Sequence, residues 1–189
     1  MDRAGFLRNG AVVAVGAMGA SRLVDSAGSA TGPIAELDLA VARLAVATEI
    51  LAAEFYTEAI ASKQFAGNDL KYLKRALFNE QEHLAAVSEI LTGARQTAAT
   101  ADDFTITFPK GTFDSRSSIA KQGTVLEAGF LGAYLGAVDE LTAPDLKTTA
   151  ARIAASEARH LGVFQPAGVS FPLPLDLATA SAFLDPYLS

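Results

Sequence analysis

The chain has 189 residues, enough for one domain with a single hydrophobic core, and half of its residues are hydrophobic. It carries 15 Lys and Arg against 21 Asp and Glu, a formal net charge of −6, so we expect no nucleic-acid partner and no attraction to anionic membranes. The absence of cysteine excludes disulfides, thiolate nucleophiles and cysteine-held zinc or iron–sulfur sites. With no Trp and many alanines, the composition favours an all-α protein over a β-sandwich.

The first thirty residues have the order of a secretory signal. Arg3 and Arg8 come before an apolar run over residues 11–20, and small residues follow that run. The run is shorter than the roughly 18 to 20 apolar residues that a membrane span needs, so no stable transmembrane helix is expected.

The stretch from Arg3 to Arg8 resembles a twin-arginine signal in which Ala4 replaces the second arginine. We expect residues 1–30 to direct export to the periplasm, the cell envelope or the medium, leaving a domain over residues 31–189. The alternative is a retained N-terminal tail on a cytoplasmic protein, where it would help subunits associate.

Four long helices are predicted after this segment, from apolar residues at helical spacing. They run from Ile34 to about Lys63, from about Asp69 to Leu91, from about Ile119 to Leu141, and from Asp145 to about Phe164. Asp69 is the expected N-cap of the second helix, Gly93 is placed to end it, and Pro166 is placed to end the fourth.

The connections between the predicted helices alternate in length. The link from Gly93 to Ser118 is too long for a hairpin, and alternating residues 104–108 predict an extended segment with its apolar side against the body. Prolines near the C-terminus predict a loop and one short helix within residues 175–184. Short, long and short connections indicate two helix hairpins joined by a crossover, which is one topology of the four-helix bundle.

Both histidines lie in a Glu-x-x-His motif, Glu80 with His83 and Glu157 with His160. Residues three apart share a helix face, so each pair can direct a carboxylate and an imidazole to one point. One such motif alone is most often a solvated charge pair. Two copies in matching positions indicate metal ligands.

Two further glutamates complete an internal repeat. Glu49 lies 31 residues before Glu80, and Glu127 lies 30 residues before Glu157, so each hairpin returns its lone glutamate to the level of its Glu-x-x-His pair. A glutamate from each of two helices with a Glu-x-x-His from each of the others is the ligand set of dimetal carboxylate bundles.

A tyrosine follows each lone glutamate by seven residues, which places Tyr56 and Tyr134 on the same helix faces as Glu49 and Glu127. The tyrosines are the candidate catalytic residues if each donates a hydrogen bond to a ligand carboxylate. The alternative is a pair of core aromatics with hydrated hydroxyl groups.

The chemistry of these ligands favours two iron ions, with manganese as the alternative. Four carboxylates in an apolar core repel one another and lose their hydration. Without cations to balance them, some must stay protonated or the bundle loosens. Carboxylate and imidazole ligands without thiolate suit iron or manganese better than copper, while zinc could occupy the site without redox chemistry. The candidate ligands are Glu49, Glu80, His83, Glu127, Glu157 and His160.

The sequence around these motifs resembles the ferritin-like proteins that include the plant and bacterial desiccation-related proteins. The resemblance is clearest in LEAG at 126–129, AYLGA at 133–137 and SEARH at 156–160, and it extends to ATEILAAEFY at 47–56. It covers about residues 34–165 and implies a ferritin-like four-helix bundle with a two-metal site.

The resemblance also implies a role for each ligand. Glu80 and Glu157 would bridge the two ions, Glu49 and Glu127 would be terminal ligands, and each histidine would bind one ion. It implies no substrate.

Two hypotheses of function follow. The first is a di-iron or di-manganese oxidoreductase that reduces O2 or peroxide, with oxidation of Fe(II) as its most accessible activity. The second is a metal-binding stress-protection or structural protein in which the ions stabilise the bundle. The sequence leaves a homo-oligomer open.

Overall fold

The computed structural model describes residues 34–164 and 172–189. Helices dominate this part of the chain, and their bounds are α1 Glu36–Ala61, α2 Gly67–Gly93, α3 Arg116–Glu140, α4 Pro144–Phe164 and α5 Leu177–Leu184, with one 3-10 turn at Ala101–Asp103. The predicted export signal and the predicted helix end at Pro166 lie outside the described residues.

The helices form two antiparallel hairpins. α1 packs along α2 and α3 packs along α4, while the hairpins meet through α1 with α3 and α2 with α4. The predicted all-α bundle with one long crossover and a short C-terminal helix is confirmed. No helix in the described ranges is both long and apolar enough to cross a membrane.

The prediction that Asp69 caps α2 is wrong, because Ala66 occupies the N-cap position and Asp69 lies inside the first turn. There its carboxylate is near the positive end of the helix dipole and pairs with Arg116 at 2.6 Å. This ion pair joins α2 to the start of α3.

The third helix begins before the predicted Ile119, at Arg116. Its N-cap is Ser115, whose hydroxyl accepts from the backbone N–H of Ser118 at 3.1 Å. The Ser118 hydroxyl accepts in turn from the backbone N–H of Ser115 at 3.1 Å. This capping box satisfies the backbone N–H groups of Ser115 and Ser118, so the helix begins about one turn before the predicted residue.

The extended segment 104–108 lies with its apolar side on the bundle, as predicted. Thr105 and Thr107 are exposed, whereas the apolar residues between and beside them are half-buried. Thr105 exchanges backbone hydrogen bonds with Ser189 at 2.7 and 3.2 Å, and the Thr107 N–H donates to the Tyr187 carbonyl at 2.9 Å. The crossover is therefore held by the C-terminal residues.

Glycines on α3 let the C-terminal segment approach the helix backbone. A Cβ on Gly136 would lie 1.7 Å from the Leu175 carbonyl oxygen, and a Cβ on Gly129 would lie 2.2 Å from the Phe183 ring. Between them, the Gly132 carbonyl accepts from the Leu175 N–H at 2.9 Å. Any larger side chain on this face would displace the segment.

The start of α1 is tied to the turn before α4. Asp38 is buried, and its carboxylate accepts from the Thr142 N–H at 2.7 Å, the Thr142 hydroxyl at 2.8 Å and the Ala143 N–H at 3.2 Å. These bonds fix the level at which the first hairpin meets the second.

The core consists of two apolar clusters along the bundle axis. One includes Leu39, Val46, Ile50, Leu131, Leu141 and Ile153. The other includes Leu51, Phe55, Leu73, Ile119, Leu126 and Phe130. Polar side chains from all four long helices lie between the clusters, and these side chains form the candidate site.

Candidate metal centre

The structure brings all six predicted ligands together in the middle of the bundle. All are buried, and the most accessible of them, His83, is only 7% exposed. Lone glutamates come from the middle of α1 and α3, and the two Glu-x-x-His pairs come from the middle of α2 and α4. Such burial of charged groups is costly unless they are paired or bind ions.

The ligand atoms form two overlapping groups of four, within each of which the atoms lie no more than 4.8 Å apart. The first group is Glu49, Glu80, His83 and Glu157, and the second is Glu80, Glu127, Glu157 and His160. Glu80 and Glu157 belong to both groups. The positions therefore suit two ions that share two carboxylates, which are the roles that the family resemblance implies.

In the first group, the Nδ1 atom of His83 faces three carboxylates. It lies 3.1 Å from Oε2 of Glu80, 3.1 Å from Oε1 of Glu157 and 3.5 Å from Oε2 of Glu49. One oxygen from each glutamate and one nitrogen thus surround a common point.

In the second group, the Nδ1 atom of His160 faces the other carboxylate oxygens. It lies 2.7 Å from Oε1 of Glu80, 3.5 Å from Oε2 of Glu157 and 3.8 Å from Oε2 of Glu127. The two shared glutamates therefore direct one oxygen toward each histidine, as bridging carboxylates do.

The two buried tyrosines hydrogen-bond glutamates of the opposite hairpin. The Tyr56 hydroxyl donates to Oε1 of Glu127, and the Tyr134 hydroxyl donates to Oε1 of Glu49. Both tyrosines are buried, so the alternative of hydrated hydroxyl groups does not describe them. Each bond fixes one oxygen of its glutamate and leaves Oε2 directed at the site.

Several buried atoms of the site have no hydrogen-bond partner among the described residues. They are Oε2 of Glu49, Oε1 of Glu80, Oε2 of Glu127, both carboxylate oxygens of Glu157, and Nδ1 of His160. Buried polar atoms are normally hydrogen-bonded, so a set of convergent, unpaired lone pairs fits a cation. The donor set present therefore fits two metal ions of the kind that bind oxygen and nitrogen.

Burial and charge determine where protons reside in the metal-free site. Burial raises the pKa of Glu49 to about 8 and that of Glu127 well above its usual range. Burial acts to lower the histidine pKa values, but neighbouring carboxylates outweigh it and raise the pKa of His160 to about 9 and that of His83 further. Burial acts to raise the pKa of Glu157, but both histidines lower it to about 2. At neutral pH, bound protons therefore offset the negative charge of the carboxylates in the metal-free site.

Sequence reasoning missed two neighbours of His160. Asn79 places its side-chain nitrogen 3.1 Å from Nε2 of His160. Tyr72 lies edge-on to the imidazole, with ring centroids 6.5 Å apart, and its hydroxyl donates to the Arg159 carbonyl at 3.2 Å. No local sequence signal pointed to either residue, because both lie on α2 and contact His160 from the opposite hairpin.

A model of the ferritin-like domain family matches residues 37–167, which includes all six candidate ligands. The chain belongs to the ferritin-like domain family. No curated protein is similar enough to match it. The ferritin-like protein thus has the predicted fold, and its place in the desiccation-related branch stays a prediction.

Proposed function

We propose that this ferritin-like protein is a dimetal-carboxylate oxidoreductase that binds two iron ions, or two manganese ions, and reacts with O2 or peroxide. The observation that carries the proposal is the pair of overlapping ligand groups, in which buried Glu80 and Glu157 each reach both histidines. A single ion would need only one of the groups.

Each proposed ion has three carboxylates and one imidazole. Glu49, Glu80, His83 and Glu157 would hold one ion, and Glu80, Glu127, Glu157 and His160 would hold the other. Two divalent ions would balance four ionised carboxylates and displace the protons on Glu49 and His160, whose pKa values of about 8 and about 9 keep them protonated at neutral pH.

Bound iron or manganese would supply one-electron redox chemistry toward O2 or peroxide. The chain supplies the positioning. Burial and nearby carboxylates raise the pKa of both Tyr56 and Tyr134 well above 10, so these hydroxyl groups stay protonated and remain donors to the terminal glutamates. The apolar clusters on either side limit access of water to the site.

Metal stoichiometry tests the proposal. Protein reconstituted without oxygen should bind about two Fe(II) or Mn(II) per chain. In Glu80→Ala both ions should be lost or greatly weakened, because one bridging carboxylate serves both. Unchanged binding of two ions in that variant would remove Glu80 from the site.

Oxygen consumption separates the oxidoreductase from a metal-binding stress or structural protein. Fe(II) supplied in excess as substrate should be oxidised with uptake of O2, at a rate above that of Fe(II) in buffer. Zinc occupancy with a large rise in melting temperature, and no oxygen uptake with iron or manganese, would instead assign the ions a structural role.

A further inference from the structure

We infer that the two ion positions differ in affinity, and that Asn79 is the positioning residue that makes the His160 position the tighter one. The inference rests on the proposed two-ion site. It concerns the protein's own asymmetry within a repeat whose ligands are otherwise matched.

The contact that carries the inference is on the side of His160 away from the carboxylates. Nδ1 of His160 faces Glu80 at 2.7 Å, while Nε2 lies 3.1 Å from the side-chain amide of Asn79. An imidazole that gives Nδ1 to an ion carries its hydrogen on Nε2, and that N–H needs an acceptor. A half-turn of the Asn79 amide brings its oxygen to this place. Asn79 then holds the ring with Nδ1 directed at the ion.

The other histidine lacks this support. Within the described ranges, no hydrogen bond reaches Nε2 of His83, whose side chain is 9% exposed against 2% for His160. Ring rotation of His83 is therefore less restricted, and binding an ion there must also fix the imidazole.

The internal repeat explains the difference. Asn79 directly precedes Glu80, and the residue that directly precedes Glu157 is Ser156. Ser156 on α4 occupies the position in the repeat that Asn79 occupies on α2, and it is buried. Its hydroxyl, however, accepts from the Arg159 side chain at 3.3 Å. A serine lacks the amide that would reach across to His83. One copy of the repeat thus has the positioning residue and the other does not.

Single-ion versions of the full-length protein isolate each position. Glu49→Ala removes a ligand of the His83 position only, and Glu127→Ala removes a ligand of the His160 position only. Each variant is titrated anaerobically with Co(II), with calorimetry for the affinity and visible absorption for the ligand environment. We expect tighter Co(II) binding in Glu49→Ala than in Glu127→Ala.

Asn79→Ser, which copies the residue at 156, is then added to both variants. It should weaken Co(II) binding by about tenfold in the Glu49→Ala protein and leave the Glu127→Ala protein unchanged. Asn79→Asp, which keeps an acceptor oxygen, should retain the affinity of the Glu49→Ala protein. Circular dichroism of the metal-free variants checks that all of them fold.

Two results would overturn the inference while the two-ion proposal stood: equal affinities of the two positions, or an equal effect of Asn79→Ser on both. Failure of the unaltered protein to bind any Co(II), Fe(II) or Mn(II) would overturn both the inference and the proposed function.

Discussion

The Tyr56 hydroxyl is the only part of that side chain that Phe would lack, so Tyr56→Phe isolates its hydrogen bond to Glu127. The ring should keep its packing on Phe55 and Phe164, whose centroids lie 5.4 and 6.2 Å away. Loss of a donor to a buried carboxyl should destabilise the metal-free protein by about 1–3 kcal/mol in urea unfolding.

Tyr72→Phe is the matched control, because the Tyr72 hydroxyl lies in a half-buried position and donates to a backbone carbonyl at 3.2 Å. Its removal should cost less, since water can replace the donor. An equal loss of stability in both variants would mean that the hydrogen bond from Tyr56 to Glu127 contributes no more to stability than the one from Tyr72.

Glu127→Ala should abolish or strongly slow Fe(II) oxidation, because it would remove a proposed terminal ligand from one ion position. Glu82→Ala removes another glutamate of the bundle, two residues after Glu80, whose half-buried side chain belongs to neither ligand group. The control should keep its activity and lose no more than about 0.5 kcal/mol of stability. Similar activity losses in both variants would contradict the assignment of helix faces.

The convergence of the six candidate ligands could be predicted because helical spacing relates residues a few positions apart, and the two hairpins repeat that spacing. Contacts between residues on opposite hairpins could not be predicted from the sequence. Tyr56 and Glu127 are 71 residues apart, and Asn79 and His160 are 81 apart. No local period relates such pairs, so the packing of one hairpin on the other decides them.

At the level of helices, Gly136 is the glycine of α3 at which substitution should most disturb the contact with the C-terminal segment. Gly136→Ala would place a methyl carbon 1.7 Å from the Leu175 carbonyl oxygen, and backbone cannot yield as a flexible side chain does. The segment must move, so we expect a loss of about 1–3 kcal/mol in thermal or urea unfolding.

Gly162→Ala is the control, because a Cβ at Gly162 on α4 meets no atom of the described part of the chain within 4 Å. Alanine there should raise stability by up to about 1 kcal/mol through helix propensity alone. Stabilisation by both substitutions would show that the C-terminal segment does not pack on α3 as described.

For the helices and the crossover, as for single residues, local features could be predicted from the sequence and long-range contacts could not. Alternation over 104–108 predicted which side of the crossover faces the core, because that pattern is local. It could not predict that Thr105 pairs with Ser189 at the far end of the chain. The early start of α3 at Arg116 was missed because the capping box formed by Ser115 uses Ser118, where the usual sequence signature has Glu or Gln.

For the whole molecule, the raised pKa values predict that the metal-free protein loses stability as pH rises. His160, raised from 6.5 to about 9, stabilises the fold fully below pH 6.5 and loses that contribution as pH rises through 9. Glu49, raised from 4.5 to about 8, binds its proton more tightly when folded, so stability also falls between those values. Melting temperatures measured with chelator should decrease from pH 6.5 to 9.

The stabilisation gained on metal loading should show the opposite trend with pH. Ions must displace the protons on Glu49 and His160, so their affinity rises with pH and the increase in melting temperature on loading should be larger at pH 9 than at pH 6.5. Proton release into weak buffer on loading is the direct measurement. An increase in melting temperature that is independent of pH would contradict the protonated state described for the metal-free site.

Because each ligand group draws on both hairpins, an ion at either position would act as a cross-link in a chain that contains no cysteine. Its effect would be kinetic as well as energetic. The hairpins could separate only after the ions dissociate, so the rate of unfolding of the loaded protein would follow the rate of ion release. Exposure to chelator, more than heat, would then set the lifetime of the folded chain.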